Sequence, residues 1–130
     1  MHVSSGGRRV VVIDDDPSIR EVTALALSAV GGHEVHTAGD GAEGVSLARR
    51  VQPDAILLDV MMPTVDGPTV LARIRAEEGL HDVPVVFLTA KVGAQDISRL
   101  DGLGAAAVFT KPFDPLSLPR LLADALGWDR

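Results

Sequence analysis

Short apolar runs alternate along this chain with longer stretches of helical period. The runs are Val10 to Ile13, Ala55 to Leu58, Val85 to Leu88 and Ala105 to Phe109. Each is followed by turn residues and then by a segment whose apolar positions recur every three or four residues. Three of the runs are continuously apolar rather than alternating, the pattern of strands covered on both faces of a parallel sheet. Glu34 to Ala38 reads as a fifth, weaker strand near an edge.

Between the runs, Val22, Leu25, Ala26, Ala29 and Val30 fit one helical stripe, and Leu118, Leu121, Leu122, Ala125 and Leu126 fit another. Ala42 with Val45, and Val70 with Leu71 and Ile74, mark two more helices, while Gly93 to Leu103 is the least regular of the five. Asp16-Pro17, Asp66-Gly67-Pro68 and Asp114-Pro115 each place a capping carboxylate beside a proline suited to a first helical turn. Asp40 with Glu43 three residues on resembles a capping box. The elements alternate strand and helix throughout, which predicts an α/β fold with a parallel sheet.

The 130 residues suffice for one hydrophobic core and fall short of two ordinary domains. With 46% apolar and 23% charged residues the chain is globular rather than disordered. Its 12 Lys and Arg against 18 Asp and Glu give a formal charge of −6, which argues against direct nucleic-acid binding, since no basic surplus is available to displace counterions from a phosphate backbone. Arg8-Arg9 reads as a solvated lead-in to the first strand. The absence of cysteine removes disulfide, thiolate-metal and cysteine-nucleophile chemistry and fits a cytoplasmic location. No apolar run approaches the roughly 18 residues of a membrane span, so no membrane insertion is expected. His2, His33, His36 and His81 lack the spacing of a metal site, and no phosphate-binding glycine loop is present.

In open parallel sheets, ligands bind at the carboxyl ends of the strands. Asp14 and Asp15 follow the first strand, Asp59 the third, Thr89 the fourth, and Lys111 the fifth after Thr110. Asp16 reads as a helix cap, and any one of the others alone would be a turn residue or a solvated charge. Together they bring three carboxylates, a hydroxyl and an ammonium to one rim. Carboxylates held close repel one another, and a hard divalent cation such as Mg2+ relieves that repulsion. Beside such an ion Asp59 can attack phosphorus, with Lys111 and Thr89 neutralising charge on the oxygens of the moving group.

The segments Val-Ile-Asp14-Asp15-Asp16-Pro17, Leu57-Leu58-Asp59-Val60-Met61-Met62-Pro63, Leu88-Thr89-Ala90 and Phe109-Thr110-Lys111-Pro112-Phe113, in this order, resemble the response-regulator receiver domain of two-component signalling. The resemblance spans about Arg9 to Leu126. It implies a (βα)5 flavodoxin-like, doubly wound parallel five-stranded sheet of order 2-1-3-4-5, the order that receivers of this family exemplify. It implies that Asp59 is the phosphoacceptor and that Asp15, Asp59 and the Met61 carbonyl bind Mg2+, with Asp14 supporting the ion largely through water. Thr89 and Lys111 would contact the phosphoryl oxygens, and the Lys111-Pro112 peptide would be cis. The domain would run from residue 9 to 127, after a flexible lead over 1–8 and before a tail over 128–130. Family members usually carry Tyr or Phe three residues before the lysine. Here Val108 stands there, and Phe109 falls on the other strand face.

The function so implied is a signalling domain rather than an enzyme, although it takes part in its own phosphotransfer and autodephosphorylation. Its partners would be a histidine kinase or histidine phosphotransfer protein upstream and a protein target or output domain downstream, reached through a surface of helix 4, strand 5 and helix 5. No output domain is read after Leu126, which leaves a stand-alone receiver or an excised one. Two other readings remain at this point. Asp14-Asp15-Asp16 also fits the nucleophile and general acid, Asp14 and Asp16, of a haloacid-dehalogenase-like phosphatase, and a receiver can serve as a binding module without being phosphorylated.

Overall fold

A computed structural model describes residues 7–91 and 93–128. Five strands, β1 (Arg9–Ile13), β2 (Glu34–Ala38), β3 (Ala55–Asp59), β4 (Val85–Thr89) and β5 (Ala107–Thr110), alternate with helices α1 (Pro17–Leu25), α2 (Gly41–Val51), α3 (Gly67–Ala76), α4 (Ala94–Asp101) and α5 (Leu118–Leu126). All strand pairs are parallel, in the order β2-β1-β3-β4-β5. The continuously apolar runs form the three central strands. The weaker run Glu34–Ala38 lies at one edge, and β5, half-buried along its whole length, lies at the other.

Because successive strand residues point to opposite faces, the core divides in two. Val11, Ile13, Ile56, Leu58 and Phe87 pack against α2, α3 and α4. Val10, Val12, Leu57, Val86 and Leu88 pack against the helical turn that follows α1 and against α5, through Ala26, Leu27, Leu118 and Leu122. Val108 joins the first layer and Phe109 the second, as the period of two requires, with Phe109 half-buried. The helices thus cover both faces and leave the carboxyl ends of the strands as the open rim. Among the described residues no helix is long and apolar enough to cross a membrane.

Capping fixes where the helices point. Asp16 accepts from the amides of Ser18 and Ile19, Asp40 from Glu43 and Asp66 from Thr69, each at a helix start anticipated from sequence. Glu43 Oε1 in turn accepts from the amide of Gly39, one residue before the Asp40 cap, so the expected capping box closes one residue early. Gly67 lets α3 approach the end of β3. A Cβ there would lie 2.8 Å from the Asp59 carbonyl oxygen and 2.8 Å from the Val60 Cα, and its amide donates to the Val60 carbonyl at 2.8 Å.

Two helical expectations need correction. The stripe Val22, Leu25, Ala26, Ala29, Val30 does not face the core: Leu25 is 62% exposed, Val22 and Val30 also lie outside, and only Ala26 of the five is buried. The buried positions are Thr23, Ala26 and Leu27. The buried set keeps the i, i+3, i+4 spacing but starts one residue later than the stripe, and after Leu25 the helix widens into a π-helical turn, Ala26–Val30, whose last residues face outward. Thr23 enters the core because its hydroxyl donates to the Ile19 carbonyl at 2.7 Å. The second correction concerns α5, whose stripe buries only Leu118 and Leu122 while Leu121 and Ala125 lie outside and Ala123 is buried, and whose start is not at Asp114-Pro115. Asp114 caps a separate turn, accepting from the Leu116 amide and the Ser117 hydroxyl, and α5 begins only at Leu118. Pro119, lacking an N–H, fits the first helical turn and sets that later start.

At the amino ends of the strands, the Arg8 amide donates to His33 Nδ1 at 3.2 Å, and the Arg8 guanidinium lies 4.7 Å from the centroid of Trp128, against which His33 also packs. Most of the lead expected over 1–8 falls outside the described residues, as do 129 and 130. Arg8 and Trp128, at its two margins, are held to the domain.

Candidate functional site

The anticipated rim residues converge. Asp14 and Asp15 leave β1, Asp59 ends β3, and each offers a carboxylate oxygen within 4.8 Å of the others. Lys111, just past β5, reaches across β4 and β3: its Nζ donates to Asp14 Oδ2 at 3.0 Å and to Asp59 Oδ1 at 3.2 Å. Asp14 is wholly buried, Asp59 is 5% exposed and Asp15 opens toward solvent. The peptide between Lys111 and Pro112 is cis.

The two buried carboxylates differ in how they are held. Asp14 has both oxygens engaged, Oδ1 by the Asp16 amide at 2.9 Å and Oδ2 by Lys111. Asp59 takes its donors, the Met61 amide at 3.3 Å and Lys111, on Oδ1 alone. Among the described residues no N–H reaches its Oδ2. Burial, and then the charge of Asp14, push the Asp59 carboxyl up from 3.8 to about 6 against the pull of Lys111. Burial alone would lower Lys111, but the bonds and charges of Asp14 and Asp59 outweigh it and raise the ammonium's pKa, so the lysine remains a cation.

One ammonium facing three carboxylates leaves the rim with surplus negative charge and an all-oxygen set of ligands. That set fits a hard divalent cation such as Mg2+, which takes one or two carboxylates and retains waters.

Thr89 closes β4 and is buried, and its Oγ1 accepts from the Lys91 amide at 3.0 Å. It lies beside Thr110 in register, one step beyond the pair Asp59 and Leu88. The Met61 side chain is 56% exposed, so its tie to the site is through the backbone.

Asp16 caps α1, which occupies the carboxylate that the phosphatase reading needs as its general acid, while the bonds on both oxygens of Asp14 tie down the nucleophile of that reading. One contributor was not legible in the sequence. Arg20, on the first turns of α1, donates from Nη1 to the Asp14 carbonyl at 2.9 Å and covers Gly39, which fixes the turn after β1. An arginine on an amphipathic helix carries no signal that distinguishes this use from solvation. His36 and His81 pair with Glu34 and Asp82 on the surface, away from the carboxylates, and His2 lies outside the described residues.

The profile of the response regulator receiver domain matches residues 10–123. The chain belongs to the response-regulator receiver family. Among sequences similar to this receiver, the DNA-binding dual master transcriptional regulator RpaA of Synechocystis sp. is 44% identical over 106 residues, covering 82% of this chain and 44% of that protein. The DNA-binding response regulator MtrA of Mycolicibacterium smegmatis is 37% identical over 111 residues, covering 85% and 47%. The chain therefore spans less than half the length of these two relatives.

Among solved structures, Vibrio cholerae chemotaxis protein CheY4 superposes with a TM-score of 0.83 at 30% identity, over 90% of this chain and 97% of that one. The receiver domain of the sensor histidine kinase PA1611 from Pseudomonas aeruginosa superposes with a TM-score of 0.82 at 31% identity, over 93% and 98%. That structure has a magnesium ion coordinated in its active-site cleft. The receiver fold and the receiver's place in two-component signalling thus stand on the family match, which does not favour the phosphatase reading.

Proposed function

We propose that Asp59 of this receiver accepts a phosphoryl group from a phosphohistidine of a histidine kinase or histidine phosphotransfer protein, with Mg2+ held by Asp15, Asp59 and the Met61 carbonyl and supported by Asp14. The observation that carries this reading is the asymmetry between the two buried carboxylates. Among the described residues no N–H donates to the second oxygen of Asp59, while Asp14 has both oxygens bound. The second oxygen of Asp59 forms the new O–P bond as the N–P bond of the phosphohistidine breaks, and the imidazole leaves.

Lys111, already bonded to Oδ1 of Asp59, is placed to follow the charge that arrives on the phosphoryl oxygens, and the Thr89 hydroxyl supplies a further donor. Mg2+ would supply charge neutralisation on the remaining phosphoryl oxygens and relieve the repulsion among the carboxylates. The same site hydrolyses its own acyl phosphate, resetting the domain. The added charge of about −1.5 to −2 changes the surface formed by α4, β5 and α5, through which a downstream protein or an attached output domain is controlled. RpaA and MtrA are DNA-binding regulators. For this chain any contact with nucleic acid belongs to a segment outside the receiver, and the expected location is the cytoplasm.

Incubation with acetyl phosphate and Mg2+ tests the reading. Intact mass gains one phosphoryl group, and the gain disappears in Asp59→Asn. Labelling that persists in Asp59→Asn and vanishes in Asp14→Asn would establish the phosphatase chemistry instead.

A further inference from the structure

Beside the site, a groove of about 410 Å³ lies between the loop after β3 and α4, with Lys91 ahead of that helix and Arg99 in its last turn. Its apolar wall is Met61, Met62 and Pro63, and its opposite rim carries Lys91 and Arg99. In a chain of formal charge −6 these two cations are exposed, and neither makes an ion pair within 4.0 Å among the described residues. Asp66 also borders the groove, but its carboxylate is committed to capping α3. The Thr69 bonds, with a smaller contribution from Arg99, hold that carboxyl below its usual range. We propose that this groove docks a partner protein segment that presents a carboxylate beside apolar side chains, and that phosphorylation tightens the docking.

The chemistry of the two walls selects that occupant. Methionine and proline offer an adaptable apolar floor that suits side chains of varied shape. The exposed cations opposite, of which Arg99 also feels the Asp66 carboxylate, favour an acidic group and disfavour a basic one, so charge complementarity sets orientation and partner choice.

The link to phosphorylation rests on the reading of Asp59 as phosphoacceptor. Both walls are tied to the reaction centre: Met61 through its amide to Asp59 Oδ1, and Lys91 through its amide to Thr89 Oγ1. When the Thr89 hydroxyl turns to donate to a phosphoryl oxygen, the Lys91 backbone follows the atom to which it is bonded. The cationic rim then closes on the methionine wall.

The experiment uses a short fluorescein-labelled amphipathic helix with leucines on one face and glutamates beside them, together with its lysine-for-glutamate counterpart. Anisotropy is read on free protein and on protein loaded with beryllofluoride and Mg2+, and a phosphorylated aliquot of the same preparation is weighed. We expect the acidic peptide to bind the loaded form several-fold more tightly, the lysine peptide to bind neither, and Arg99→Glu and Lys91→Glu each to weaken binding by roughly tenfold in a salt-sensitive way. Peptide-induced amide shifts should fall on Met61, Met62, Lys91 and Arg99, which keeps the test decisive should a charge reversal disturb folding.

Equal affinity for both peptides, shifts centred on α5, or competition by a simple apolar carboxylate with the affinity of the peptide would each overturn the proposal. Phosphate uptake without a change in peptide affinity removes the phosphorylation link and leaves the reading of Asp59 intact. Failure of Asp59 to take phosphate removes that reading, and the groove is then judged by charge reversal on the free protein alone.

Discussion

Lys111 is the residue on which the site's balance of charge turns. Its ammonium is shared between two carboxylates that burial penalises and offsets part of their charge, through contacts at 3.0 and 3.2 Å. Lys111→Met leaves Asp14 and Asp59 buried without a counter-ion, and loss of one partner from a buried ionic cluster costs about 3 kcal/mol. The urea midpoint of the metal-free protein should fall accordingly at neutral pH, and Mg2+ should restore part of it. An unchanged midpoint would mean that water already screens the pair. Asp59 carries the complementary pH signature. Its carboxyl lies at about 6 in the fold against 3.8 when free, so the folded state holds the proton more tightly. The stability contributed by that proton is complete below about pH 4 and is lost as pH rises through about 6. In metal-free protein Asp59→Asn should flatten that fall and be the more stable form at neutral pH. A pH profile identical to wild type would assign the titration to another group.

At the scale of elements, legibility in the sequence followed the source of each element's order. The central strands were readable because burial on both faces demands an unbroken apolar run, and the site residues were readable because they directly follow those runs. The core face of α1 was not, because a threonine bonded to its own backbone takes the core position beside the apolar Val22, which leaves Val22 and Leu25 outside. The start of α5 was misjudged because two Pro signals compete, and Pro119 rather than Pro115 occupies the first turn. Arg20 and Trp128 act through tertiary contacts that no local pattern encodes.

Two predictions belong at this scale. Gly67→Ala drives a methyl group into the backbone of Asp59 and Val60, so it should destabilise the fold by about 1–3 kcal/mol and slow phosphorylation by acetyl phosphate, since the atoms displaced carry the acceptor. A full phosphorylation rate in a destabilised variant would show that the strain is absorbed by α3. The other concerns α4, whose start has no side-chain cap and which buries only Leu100 completely. Its amides should exchange with solvent faster than those of α2 and α3, and on beryllofluoride binding the changes should concentrate in the described residues between Lys91 and Gln95. With Val108 in the layer packed on α2, α3 and α4, no ring turns there when Thr89 moves, and Phe109 on the other face keeps its rotamer. A changed Phe109 rotamer with a static loop would place the switch one residue later.

The whole molecule separates chemistry from closure. The carboxylates and Lys111 occupy the carboxyl end of the sheet, whereas Trp128, the chain's single tryptophan, sits at the other end between Arg8 and His33. The core between them is the close-packed apolar body of β1, β3 and β4, and none of the bonds described at the site reaches the Trp128 cluster. Binding of Mg2+ to the folded state alone must raise stability by linkage, to about 2.7 kcal/mol at a hundredfold excess over the dissociation constant. Trp128 fluorescence should therefore report that gain only as a shift of the thermal midpoint, a shift that Asp15→Asn largely abolishes. Its native emission should stay the same with Mg2+ and with beryllofluoride, because the indole's neighbours do not change. An emission change on beryllofluoride binding in the native state would mean that α5, which leads from the Lys111 loop to Trp128, moves as a rod on activation. The two ends of the sheet would then be mechanically coupled rather than independent.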